Sequence, residues 1–155
     1  MINHLNKKNK PTIVDISNKK QTTRIAKAQG IIQLSSKTFK QIESLKTKKG
    51  EITNAAIIAG ILGAKRTSEI IPLCHNITLE NIDIDIRLIK YKSLFLVTCS
   101  VISSGKTGVE MEALTGVSLA CLTIYDMCKS IDKKIIIKEI KLLEKKGGKS
   151  DILRS

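Results

Sequence analysis

The 155-residue chain has no tryptophan, and its only aromatic residues are Phe39, Phe95, Tyr91 and Tyr125. That is a poor stock for stacking on single-stranded bases, which takes aromatic platforms. Histidine is limited to His4 and His75, and the four cysteines (Cys74, Cys99, Cys121, Cys128) form no C-x-x-C pair. A metal site wants closer ligand spacing and more histidine. The thiols therefore read as buried and free in a reducing cytoplasm. The longest apolar run, residues 55–64, has about half the length a membrane span requires. Residues 1–20 are polar and basic without an apolar stretch, so no secretory signal is expected there. The expectation is a soluble cytoplasmic protein.

Acidic residues are also scarce. Asp plus Glu total 14 against 27 Lys plus Arg, a net charge of +13 with an isoelectric point near 9.7. Such a balance points to anionic partners: nucleic acid, a membrane surface or phosphorylated small molecules. What is plentiful is aliphatic. A hydrophobic fraction of 42% in 17.1 kDa is enough to bury one core and excludes wholesale disorder. A second domain would leave both halves short of core. Residues 1–20 read as a flexible basic arm and 21–155 as a single catalytic domain.

Along the chain, residues 23–34 roughly alternate and predict a strand interrupted by Gly30. Ser35 or Ser36 can cap a short helix that ends at Lys48-Lys49-Gly50. Thr53 or Asn54 can cap a longer helix, apolar nearly all round, that stops near Pro72. Residues 76–90 alternate strictly through Ile82-Asp83-Ile84-Asp85-Ile86, a half-buried strand. Tyr91-Lys92-Ser93 turns the chain and residues 94–103 return, completing an antiparallel hairpin. After Gly105-Lys106-Thr107-Gly108 comes a helix of about six turns with Ala113, Val117, Cys121, Ile124 and Cys128 down one face. Residues 134–143 predict a last strand, followed by a polar tail. Strand, helices, strand, strand, helix, strand is the ferredoxin-like α+β order: one antiparallel sheet with helices packed on one face.

Two Gly-Lys-Thr/Ser triplets, at 105–107 and 148–150, suggest a P-loop, but the glycine required five residues earlier is Ser100 in one case and Leu143 in the other. A basic glycine turn remains. The helix that opens at Glu110 still offers free N–H groups and a positive dipole end to an anion. Asp126 and Lys129 stand at i and i+3 among apolar neighbours, which predicts a partly buried pair able to act as acid and base. The bland alternative is an ordinary surface pair. Glu112 lies 14 residues before Asp126, a gap of about 21 Å on a helix. If both ends serve one substrate, the site must lie between subunits.

Several segments together closely resemble the MoaC family, the cyclic pyranopterin monophosphate synthases of molybdenum cofactor biosynthesis. They are Lys65-Arg66-Thr67 with Ile71-Pro72-Leu73-Cys74-His75, the run GKTGVEMEALT at 105–115, LTIYDMCK at 122–129, and Leu142-Leu143 with Gly147-Gly148-Lys149-Ser150. The resemblance extends from Val14-Asp15-Ile16-Ser17 to Ser150, nearly the whole chain. It implies a ferredoxin-like subunit in a homohexamer, a trimer of dimers with active sites at the dimer interface. It also implies a phosphorus–oxygen lyase. Such an enzyme converts 3′,8-cyclo-7,8-dihydro-GTP to cyclic pyranopterin monophosphate and releases pyrophosphate.

Matched residue by residue, Asp126 and Lys129 take the family's catalytic acid/base positions. Lys49, His75 and Lys145 take its other active-site positions, and Arg24, Glu110 and Glu112 positions in or near its pocket. Leu73, Cys74 and Met111 fall in the same matched runs and are assigned to substrate binding with them. No metal or cofactor is implied as required; Mg²⁺ could assist at the phosphates, but no carboxylate cluster demands it. Asn76, Glu51 and Lys146 depart from the family's usual residues. The competing reading is a basic nucleic-acid-binding module of the same fold. The net charge favours it, while the hairpin strands carry no stacking pair and no RNP-like run.

Overall fold

The computed structural model describes residues 4–6, 8–44 and 46–154, with the backbone alone for 46–50. In chain order its elements are β1 (Thr22–Gln33), α1 (Ser36–Ser44), α2 (Lys46–Lys65), α3 (Thr67–Ile70), β2 (Asn81–Ile89), β3 (Leu94–Gly105), α4 (Glu110–Cys128), β4 (Ile136–Lys146) and β5 (Ile152–Leu153). The sheet order is β2-β3-β1-β4-β5, and every neighbouring pair is antiparallel. β1 and β2 therefore run parallel on either side of β3, and β3 and β4 on either side of β1; a helical crossover joins each of these two parallel pairs, as the ferredoxin-like expectation requires.

Alternation decides which face of the sheet is covered. Ala26, Ala28 and Ile32 of β1 and Val97, Cys99 and Val101 of β3 are fully buried, on the side where α4 packs. The expected stripe Ala113, Val117, Cys121, Ile124, Cys128 is buried in full. Among the described helices α4 alone is long and apolar enough to cross a membrane; half of that stretch is buried here, against the sheet and α2. A Cβ on Gly30 would come within 2.7 Å of Val117 and Cys121, so α4 lies directly on the backbone of β1. Small residues likewise bring α2 against α4: a Cβ on Gly60 would stand 2.9 Å from the Gly116 carbonyl and 2.3 Å from Ile84 Cδ1. A backbone wall cannot rotate away. Gly60→Val is therefore expected to cost about 1–3 kcal/mol, read as a lower midpoint in thermal or urea unfolding followed by helical circular dichroism.

The structure differs from the sequence expectation in three places. α2 begins at Lys46, before the expected break at Lys48-Lys49-Gly50. Glycine costs about 1 kcal/mol inside a helix, and burial of Ile52 and Ala56 at the core outweighs it. The continuous helix expected to reach Ile71 is interrupted at Arg66, which separates α2 from α3. The last strand continues to Lys146, and the tail expected to be only polar pairs Ile152 with Lys145 and Leu153 with Glu144. Two register irregularities against β1, together with Glu139 at φ 50°, bend β4 on its way to that end.

Candidate active site

Strand register brings distant cations together at one end of the sheet. Thr22 pairs with Gly105 and Arg24 with Ser103, while Ala26 and Ile25 pair with Lys145 and Lys146. Arg24 Nε donates to the Gly105 carbonyl at 3.2 Å. Beyond β4 the chain turns at Gly147 (φ +84°), where a Cβ would lie 1.9 Å from the Thr23 carbonyl oxygen. Only glycine accepts that conformation and approach without strain. The turn is tied down by Thr22 Oγ1, which donates to the Gly147 carbonyl at 2.8 Å, and by Asp151 Oδ1, which accepts from Gly147 N–H at 3.2 Å.

The result is a cavity of about 450 Å³ whose wall carries seven cationic side chains and one acidic one, Glu110. Arg24, Lys145 and Lys146 come from the strands, Lys106 and Lys149 from the turns, and Lys19 and Lys20 from the N-terminal segment. Lys145 Nζ is 3.0 Å from Glu110 Oε1, and Lys146 pairs with Glu144, whose hydrogen bond holds the ammonium above its ordinary range. The helix α4 starts here without a side-chain cap, adding unpaired N–H groups to the positive field. So many like charges around one cavity favour a polyanion inside it.

A second cavity of about 710 Å³ adjoins the first, sharing Lys19, Thr107, Gly108 and Glu110 with it. Its walls are mostly apolar: Val14, Ile16, Ile71, Leu73, Ile77 and Met111, with Cys74, His75 and Glu112 among them. Cys74 is only partly buried, unlike the other three thiols. Its thiol is pushed up by burial and by Glu112. Glu112 is 4% exposed, and among the described residues its Oε2 has no hydrogen-bond partner. Burial, opposed by a hydrogen bond from its own N–H and aided by a smaller push from Glu110, raises this carboxyl to about 7.

That shift has a sign for stability. The folded state prefers Glu112 protonated, so its contribution is most favourable below the ordinary value of 4.5 and is lost as pH climbs to about 7. Glu112→Gln stays neutral throughout. Relative to the parent chain it is expected to gain, between pH 4.5 and 8, about 3 kcal/mol of unfolding free energy, measured by urea titration at a series of pH values.

The N-terminal segment forms part of both walls. His75 Nε2 lies 2.7 Å from the Val14 carbonyl, and Lys106 Nζ donates to the Ser17 carbonyl at 2.7 Å. Among the described residues no three His, Cys, Asp or Glu side chains come together as metal ligands would.

The structure thus brings together Arg24, Leu73, Cys74, His75, Glu110, Met111, Glu112 and Lys145. Asp126 and Lys129 stand apart, in the last turn of α4 and just after it, and line neither cavity. Their side chains meet at 2.6 Å with exposures of 69% and 60%, so the expected partial burial is not found within one subunit. The cause is helical phase: Ile124 and Cys128 face the core while Tyr125, Asp126 and Met127 face outward. Leu122, Tyr125, Met127 and Ile131 leave apolar surface exposed around the pair. Lys49 falls in the first turns of α2, and its side chain lies outside the described residues.

Sequence reasoning missed Lys19 and Lys20, which it read as solvated charges of the arm. Only the pairing of Thr22 with Gly105 carries them to the cavity. The Lys19-Lys20 doublet, one residue short of the start of β1, was the available signal.

Comparison with known proteins bears on this geometry. The model of the MoaC family matches residues 13–148. A cyclic pyranopterin monophosphate synthase of Helicobacter hepaticus is 51% identical over 149 residues, covering 96% of this chain and 94% of the relative. One from Campylobacter jejuni is 50% identical over 149 residues, covering 96% and 95%. Molybdenum cofactor biosynthesis protein 1 of Drosophila melanogaster is 44% identical over 153 residues, which make up 99% of this chain and 27% of that protein.

Proposed function

The chain belongs to the MoaC family, and from that premise we propose that it is a cyclic pyranopterin monophosphate synthase of molybdenum cofactor biosynthesis. As a lyase acting on a phosphorus–oxygen bond, it converts 3′,8-cyclo-7,8-dihydro-GTP to cyclic pyranopterin monophosphate and expels pyrophosphate. The observation that carries the reading is the pair of joined cavities at the start of α4, one cationic and one largely apolar. A nucleoside triphosphate derivative divides in the same way, into a polyanion and a flat heterocycle.

In this reading Arg24 and Lys145, with Lys49 and His75, hold the triphosphate by charge-assisted hydrogen bonds. Leu73, Cys74 and Met111 enclose the heterocycle beside Glu112. Asp126 and Lys129 move protons while the purine ring opens and the pyrazine ring closes. In the last step a substrate hydroxyl gives its proton to a base and bonds to the α-phosphorus. The bond from that phosphorus to the bridging oxygen breaks, and pyrophosphate leaves with the oxygen. The cationic wall offsets the charge that develops on it.

Asp126 lies about 21 Å along α4 from Glu112, so the relay that meets this substrate belongs to a second copy. A homohexamer built as a trimer of dimers supplies it. Action in the cytoplasm suits the buried free thiols Cys99, Cys121 and Cys128. Purified protein given the cyclic GTP derivative is expected to yield the cyclic pyranopterin and one equivalent of pyrophosphate; intact substrate after prolonged incubation would overturn the assignment.

A further inference from the structure

The N-terminal segment touches two site residues through backbone carbonyls, and a carbonyl oxygen can only accept. The 2.7 Å contact between His75 Nε2 and Val14 therefore requires the hydrogen on Nε2. Among the described residues Nδ1 of the same ring has no hydrogen-bond partner, which leaves it as the nitrogen available to substrate. Three residues along, the Ser17 carbonyl accepts from Lys106 at 2.7 Å. Between these anchors Asp15 Oδ1 accepts the Ser17 N–H at 2.8 Å, a local turn that sets the path of the backbone. That hydrogen bond holds the exposed Asp15 carboxyl below its ordinary range.

We infer that residues 14–17 form a positioning strap, shaped by the Asp15–Ser17 turn, that fixes the His75 ring through Nε2–H and presents Nδ1 to the substrate. The inference rests on the reading of His75 as a site residue. With the ring so held, the neutral imidazole offers the Nδ1 lone pair as a proton acceptor, and the imidazolium offers Nδ1–H to a phosphate oxygen. In both states Nε2–H stays on Val14. The strap contributes no group to the chemistry; it orients one, and an imidazole rotated out of line loses reach to either partner.

The test uses the full chain and two disrupting variants in this exposed segment. Asp15→Ala removes the turn's acceptor and Ser17→Pro removes its donor N–H, whereas Asp15→Asn keeps an oxygen at the same place. Proton–nitrogen NMR should find a downfield, slowly exchanging Nε2–H in the parent chain, identified by its disappearance in His75→Asn. The resonance is expected to persist in Asp15→Asn and to vanish in Asp15→Ala and Ser17→Pro. Their kcat/KM is expected to fall about tenfold to a hundredfold in parallel. The strap is overturned if the resonance is absent from the parent or survives both disruptions. It is equally overturned if activity and resonance fail to move together. Unchanged turnover in His75→Asn would instead strike at the role of His75 in the proposed function.

Discussion

Asp126→Asn is expected to lower turnover by about 10²–10⁴-fold, the range supplied by one positioned proton-transfer group, with Lys129→Ala falling in the same range. The pair meets at 2.6 Å on the exposed side of α4, and the Asp126 hydrogen bond holds the Lys129 ammonium above its ordinary range. Neither side chain supports the core, so the unfolding midpoint of each variant should match that of the parent chain. A loss of activity is then a loss of chemistry. If the two residues act as one relay, as proposed, the double variant is expected to be hardly slower than either single one. Steady-state pyrophosphate release gives the rate and circular dichroism the midpoint; a variant with near-parental turnover would remove the pair from the mechanism.

The second large effect concerns where that relay comes from. Lys145→Ala damages the cavity at the start of α4, and Asp126→Asn damages the other end of the helix. Each alone is expected to be nearly inactive. Co-expressed in equal amounts, half of the dimers combine one copy of each. With sites shared between the two copies as proposed, such a dimer has one site that carries both lesions and one that carries neither. About a quarter of all sites are then intact, so activity should return to about a quarter of the parental value, a gain of orders of magnitude over either variant. Recovery no greater than the average of the two parents would place all the chemistry in one subunit. The exposed apolar side chains Leu122, Tyr125, Met127 and Ile131 around Asp126 are the surface such an assembly would cover.

Local periodicity carried most of the fold into the sequence. The Ile82–Ile86 alternation, the turn ending at Ser93 (φ 51°) and the five-residue stripe of α4 were all legible, because period and burial are properties of neighbours. The matched runs likewise located Leu73, Cys74, His75, Glu110, Met111 and Glu112, which the structure gathers in one cavity. What remained hidden depends on partners far away in the chain. β5 exists because Ile152 and Leu153 find a vacant edge of β4. The exposure of Asp126 turns on which way the helix faces, and apolar neighbours at positions 124, 127 and 128 point in different directions around it. Lys19 and Lys20 enter the cavity through pairing between residues 22 and 105, a separation no local pattern encodes.

The cationic cavity draws on three stretches of chain, around residues 19–25, 106–110 and 145–149. A chain in which only the β2–β3 hairpin has formed has no such cavity, since β1 and β4 must both be docked before their lysines converge. Any polyphosphate that occupies it therefore recognises the finished sheet alone and draws the folding equilibrium toward completion by mass action. A bound polyphosphate would thus raise the unfolding midpoint of the protein, and its withdrawal would leave the native state less stable.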